Sequence, residues 1–157
     1  MENLLNITLQ NRRLLHSLLL RTPRESLLKI PDGFSNNIWW NIAHVVVTQQ
    51  LLVYRRSGLP MLVDTELVEK FKKGTVPDGT ASDEEIERLS ALLLTTIEKT
   101  RTDYRENVFQ EYMAYETSTK AQLNNVVDAL SFNLYHEGLH LGSILALRKA
   151  LARESAA

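Results

Sequence analysis

The sequence predicts an all-α fold: a four-helix bundle with a long connection between helices 2 and 3. Three observations carry this. Four long segments repeat apolar residues at helical spacing, and all four prolines (Pro23, Pro31, Pro60, Pro77) lie between them. No stretch alternates apolar and polar residues for long enough to read as a strand. Helices of ~20–30 residues would be ~30–45 Å long, the natural size of such a bundle. With 157 residues, 44% of them hydrophobic, the chain can build one core, so residues 1–157 are read as a single domain.

The first segment, roughly Asn3 to Arg21, places Leu4, Ile7, Leu14, Leu15 and Leu18 at helical spacing. The second follows Ser35, a residue type suited to an N-cap, and runs to about Ser57. The third opens on "SDEE", where Ser82 and Glu85 form a capping box. Its stripe is Ile86, Leu89, Leu93, Ile97 and Tyr104, with acids first and Arg101 and Arg105 late, as the helix dipole prefers. The fourth is expected to open at Thr119 with Gln122 as a second capping box, and its stripe runs through Leu123, Val127, Leu130, Leu134, Leu141 and Leu145. Between helices 2 and 3, "FKKGTVPDGT" reads as exposed loop and "TELVEKF" as a short turn of helix.

Composition excludes several function classes. Eighteen Lys and Arg stand against 19 Asp and Glu, a net charge of -1, which gives no electrostatic reason to expect nucleic acid or an anionic membrane as partner. There is no cysteine, so disulfides, a protein thiol nucleophile and thiolate metal ligands are all excluded. Any metal must be held by His, Asp, Glu or solvent. The opening "MENLLNITLQ" lacks the basic region and unbroken apolar run of a signal peptide. No stretch approaches the ~20 apolar residues of a membrane span. A soluble cytoplasmic protein is the expectation.

Chemistry enters with four histidines: His16, His44, His136 and His140. A lone helical histidine is ordinarily a surface or satisfied core residue, and His16, beside Arg12 and Arg13, is read that way. His136 and His140 are four apart, so their Cβ atoms lie ~5–6 Å apart on one helix face. Two imidazoles at that spacing can converge on one ion at ~2.0–2.1 Å. Their face includes Ala129, Phe132, Asn133, Ser143 and Leu147, mostly apolar or small, so it is expected to look inward. His44 shares its face with Trp40, Val47, Leu51 and Tyr54, again apolar. Facing helices that bring one histidine to a histidine pair build a three-nitrogen metal site, and the three together favour a metal over a purely structural role. Gly138 and Gly142 flank the pair, either for close helix packing or to leave room for a ligand.

His136 to His140 also spells HExxH, the helix motif of zinc peptidases. The sequence argues against that chemistry. The extended form needs glycine at 143 and histidine at 146, where the chain has Ser143 and Ala146. The only later acid is Glu154, ~21 Å further along an unbroken helix. Glu137 sits ~80° from the centre of the histidine face, and is read as solvated or ion-paired.

"NNIWWNIAHVVVTQQLLVYRRSGLP" and "LSFNLYHEGLHLGSILALRKAL" together resemble the DinB-like superfamily, damage-inducible-type four-helix proteins unrelated to the DNA polymerase that shares the name. The resemblance covers nearly the whole chain. Its motif, one histidine in helix 2 and H-x-x-x-H in the last long helix, falls on His44, His136 and His140, with Trp40 one turn before. The resemblance implies a divalent metal, often zinc or nickel, on three histidines with an open position. It further implies a small-molecule thiol as partner, since characterised members resemble bacillithiol- or mycothiol-dependent S-transferases or a mycothiol-dependent maleylpyruvate isomerase. Three functions remain open: a thiol S-transferase, a metal-dependent hydrolase for which Glu137 and Tyr54 are the candidate proton acceptors, and a non-catalytic metal or small-ligand binding protein. A homodimer is expected, from the resemblance and from helices 1 and 2 being apolar on more than one side.

Overall fold

The structure, a computed structural model, describes residues 1–155. Of these, 67% are helical, and the chain is mainly α. Helix α1 spans Glu2–Arg21, and a single turn, α2, follows at Arg24–Leu28. Helix α3 spans Ile38–Gln49 and continues without a break through a π-turn at Gln50–Tyr54 and a 3-10 turn at Arg55–Ser57. Helix α4 is Thr65–Phe71, α5 is Asp83–Arg105 and α6 is Val126–Glu154. Helix α1 packs on α5 and α6, and α3 packs on α6, with α2 and α4 lying against α3. No helix among the described residues is long and apolar enough to cross a membrane.

Local signals account for most element boundaries. The capping box at Ser82 and Glu85 forms in full. "TELVEKF" is α4, capped by Asp64, whose side chain accepts from Leu67 N. Gly58 takes φ +69, a left-handed conformation that lets the 3-10 turn close, with Leu59 N–H reaching back to Tyr54 O at 3.0 Å.

Three expectations are corrected. The N-cap of α3 is Asn37, not Ser35. Its Oδ1 accepts from Trp40 N at 2.8 Å while its Nδ2 donates to Leu28 O, so two elements are tied by one side chain. The fourth helix does not open at Thr119. Residues Tyr115–Glu116 and Gln122–Leu123 pair as a two-stranded hairpin, β1 and β2, and α6 starts after it with Asn125 as cap. Thr117 prefers to hold that turn, accepting from Ala121 N, and Lys120 adopts φ +66 there, which a helix does not allow. A short helical turn, α2, also lies between Pro23 and Pro31. Finally, the buried face of α1 is Leu5, Leu9, Arg12, Leu15 and Leu19, while Ile7 and Leu14 are 45% and 46% exposed. Including Leu14 in the stripe rotated the face away from Arg12, a residue that is wholly buried.

The core falls into two apolar clusters. One gathers Leu15, Leu19, Trp39, Phe71, Leu93 and Ile144, and the other Leu5, Leu9, Val53, Ile97 and Leu130. Buried polar residues stand where long segments pass from one cluster to the other: Arg12 on α1, Gln49 and Gln50 on the α3 segment, Asn133 and Glu137 on α6. His136 and His140 lie at this level on α6, and the ring of His44 packs against both.

Candidate metal centre

Two helices supply the site. His44 comes from the middle of α3, and His136 and His140 from successive turns of α6. One ring nitrogen of each lies within 4.8 Å of the other two, an arrangement able to hold a metal ion. The three sequence candidates are therefore brought together, and His16 stays apart from them. His136 Nε2 and His140 Nε2 are 3.2 Å apart. Two ligands ~2.0–2.1 Å from one ion at a tetrahedral angle sit about 3.3 Å apart, so this spacing is compatible with a shared ion.

The outward nitrogens fix the inward ones. His44 Nδ1 lies 2.6 Å from Phe71 O, the last residue of α4, and must donate to it, leaving Nε2 with its lone pair. That lone pair meets the Thr48 hydroxyl at 3.2 Å. His140 Nδ1 lies 2.7 Å from Asn41 Oδ1. The Asn41 amide cannot be turned round, because its Nδ2 already gives both hydrogens, to Asn36 Oδ1 and to Asn37 O. The oxygen thus accepts from His140 Nδ1–H, and His140 Nε2 also presents a lone pair inward. His136 Nδ1 is buried without a partner. Trp40 stacks on His44 with centroids 4.5 Å apart and planes 11° apart, and its Nε1 is tied to Thr75.

Burial holds all three rings neutral. It pushes His136 down to about 3, helped by the neighbouring rings His140 and His44 and by Arg12. It pushes His140 down to about 4, helped by His44. His44 is lowered too, chiefly by burial, with the bond to Phe71 pulling the other way. Three neutral nitrogens crowded together in a buried place are costly without a cation and well suited to one.

Glu137 is off the histidine face and ion-paired, as the second of the two expected alternatives has it. It is fully buried, and Arg12, also fully buried, reaches its Oε1 through Nε and Nη2, both at 2.9 Å. Asn133 Nδ2 donates to the same oxygen at 2.7 Å. Burial raises the Glu137 carboxyl while Arg12 and Asn133 pull it back. This carboxylate is engaged from one helix to another, so HExxH does not supply a general base here. Gly138 and Gly142 are both exposed, and a Cβ at either meets nothing within 4 Å, so close packing does not explain them.

A cavity of about 520 Å³ adjoins the centre and is lined by both His44 and His136. Thr48, Leu51, Leu52 and Phe132 form part of its wall. Neither Glu137 nor Tyr54 lines it. Tyr54 is buried and donates to Asp103 Oδ2 at 2.7 Å, its hydroxyl pushed up chiefly by burial. Asn41, Thr48, Arg12 and Asn133 were missed as site residues. A faint signal existed for Asn41 and Asn133, polar residues three positions before a histidine on otherwise apolar faces. For Arg12 there was none.

A helical fold whose α3 carries one histidine and whose α6 carries a pair four residues apart defines a three-histidine helical protein. The chain belongs to the DinB superfamily, whose family model matches residues 7–144. No curated protein matches the chain.

Proposed function

We propose that His44, His136 and His140 hold one divalent metal, zinc or nickel, inside a DinB-type four-helix bundle, and that the protein is a metal-dependent enzyme of the thiol S-transferase kind. The observation that carries this is the set of inward nitrogens: Phe71 O and Asn41 Oδ1 commit two Nδ1 atoms outward, so two Nε2 lone pairs converge beside His136. A divalent ion on three nitrogens with an open position is a Lewis acid that lowers the pKa of a thiol or water reaching it. The chain's own residues orient the rings, exclude water through Trp40 and Phe132, and open one side to the cavity.

The choice of a thiol over water rests on the cavity. Among the described residues lining it none is a carboxylate, and the buried Glu137 and Tyr54 are engaged elsewhere. A hydrolase needs a group to take the proton from water. A low-molecular-weight thiol ionises more readily, and a chain without cysteine needs an external one.

The test has two stages. Native mass spectrometry with elemental analysis is expected to give one zinc or nickel per chain, lost in His44→Ala and His140→Ala but retained in His16→Ala. Unchanged metal affinity in both ligand variants would end the metal reading. The loaded protein is then offered small thiols with monochlorobimane, and separately ester and amide substrates. Turnover of the esters or amides alone would make it a hydrolase, and turnover of neither a binding protein.

A further inference from the structure

The cavity beside His44 and His136 carries a charge pattern that a metal site alone does not need. Arg55, Arg56 and Lys73 line it, and no Asp or Glu does among the described residues. None of these three cations takes part in an ion pair among the described residues, although ten such pairs occur elsewhere. Three like charges facing one concave space repel each other unless an anion joins them.

The backbone arranges this. Thr48, Leu51, Leu52, Arg55 and Arg56 follow the i, i+3, i+4, i+7, i+8 spacing that places residues on one helix face. The segment passes through a π-turn at Gln50–Tyr54 and a 3-10 turn at Arg55–Ser57, and Leu51 with Leu52 and Arg55 with Arg56 line the same space. The π-turn is held from inside: Leu62 N donates to Gln50 Oε1 at 2.7 Å, and Gln50 Nε2 to Gln49 Oε1. Arg56 is placed as well. Its guanidinium stands 4.3 Å from the Tyr115 ring of β1, and its carbonyl accepts from Met113 N at 2.7 Å. The stacked guanidinium keeps its hydrogen-bond donors free for a planar acid group.

The cations lie at two levels. Lys73 follows by two residues Phe71, whose carbonyl holds His44. Arg55 lies eleven residues beyond His44, roughly 16 Å along the helix. Apolar Leu51, Leu52 and Phe132 stand in the wall as well.

We infer that the cavity selects an elongated anionic small molecule. A carboxylate or phosphate is held by Arg55 and Arg56, the less polar middle lies along Leu51 and Phe132, and the reacting end lies at the histidines beside Lys73. The inference rests on the proposed function and names the class of thiol that this site would take.

Two pairs of probes test it by isothermal titration of the zinc-loaded protein. Glutathione is compared with its diethyl ester, and 4′-phosphopantetheine with pantetheine, so the members of each pair differ chiefly in their acidic groups. The charged member of at least one pair is expected to bind about tenfold or more tightly. The preference should weaken as salt rises from about 50 to about 300 mM. It should largely vanish in the double variant Arg55→Gln/Arg56→Gln, whose folding is checked by its melting temperature, while the neutral probes bind it as they bind the parent. Discrimination in the first pair alone marks a carboxylate ligand, and in the second alone a phosphate. Equal affinities within both pairs, or a preference that survives in the double variant, overturns the inference. Repeating the titrations on metal-free protein separates the two readings. Charge preference without zinc binding sustains the anion site and removes the metal, whereas zinc binding without charge preference does the reverse.

Discussion

Replacing Arg12 by alanine isolates the buried ion pair beneath the histidines. Both Arg12 and Glu137 are wholly buried, and both contacting guanidinium nitrogens reach one carboxylate oxygen at 2.9 Å. In Arg12→Ala the Glu137 carboxylate keeps only the Asn133 amide, and Glu137 Oε2 already has no partner. Breaking a buried pair on one side costs about 3–5 kcal/mol, because the remaining charge is left without compensation. In a domain of this length each kcal/mol moves the melting temperature by about 2–4 °C, so the variant should melt roughly 6–20 °C lower. Glu137→Leu should lose a comparable amount, because it strands the arginine. The double variant Arg12→Met/Glu137→Leu should recover most of the loss, since apolar groups of similar volume satisfy the same space. Circular dichroism melts at pH 7 of the parent, Arg12→Met, Glu137→Leu and the double variant form a double-mutant cycle, with Arg12→Ala melted beside them. Losses that simply add, or a single variant melting within about 2 °C of the parent, would refute the account of this pair.

Three further outcomes are expected. The metal-free protein should lose stability as pH falls below about 6.5: His136 and His140 hold folded values of about 3 and about 4, so the unfolded chain binds more protons across that window. Thermal melts between pH 8 and pH 4.5 check this, and a melting temperature that stays flat or rises on acidification contradicts it. No chelator-sensitive cleavage of casein should occur, because Glu137 is committed to Arg12; cleavage that is abolished by Glu137→Gln would show the opposite. The protein is proposed to be a homodimer, with half-exposed Ile7 and Leu14 on α1 and Leu139 and Leu145 on α6 as apolar surface available for it. Light scattering that gives the 17.9 kDa monomer mass at micromolar concentration would rule that out.

Features written within a few residues of sequence were legible without coordinates. The capping box at Ser82 and Glu85, the prolines between segments and the i,i+4 pair His136 and His140 depend on local geometry that any helix imposes. His44 could be matched to the pair because it lies on an apolar face of another helix. What the tertiary structure decided are the partners of buried polar groups. Arg12 finds Glu137 across 125 residues, and Asn41 finds His140 across 99. An arginine on a helix surface and an arginine inside a bundle have the same local sequence signal, since only the packing of another helix sets the difference. The same holds for Thr119 and Gln122, whose spacing suits a capping box. The hairpin forms there instead, because Thr117 closes the turn and Leu123 is buried in the second apolar cluster. The π-turn is likewise silent in sequence: it is held by the contact of Gln50 with Leu62, twelve residues away. Helices and candidate ligands were local facts, whereas ring tautomers, the cationic cavity and the buried ion pair exist only once distant segments have docked.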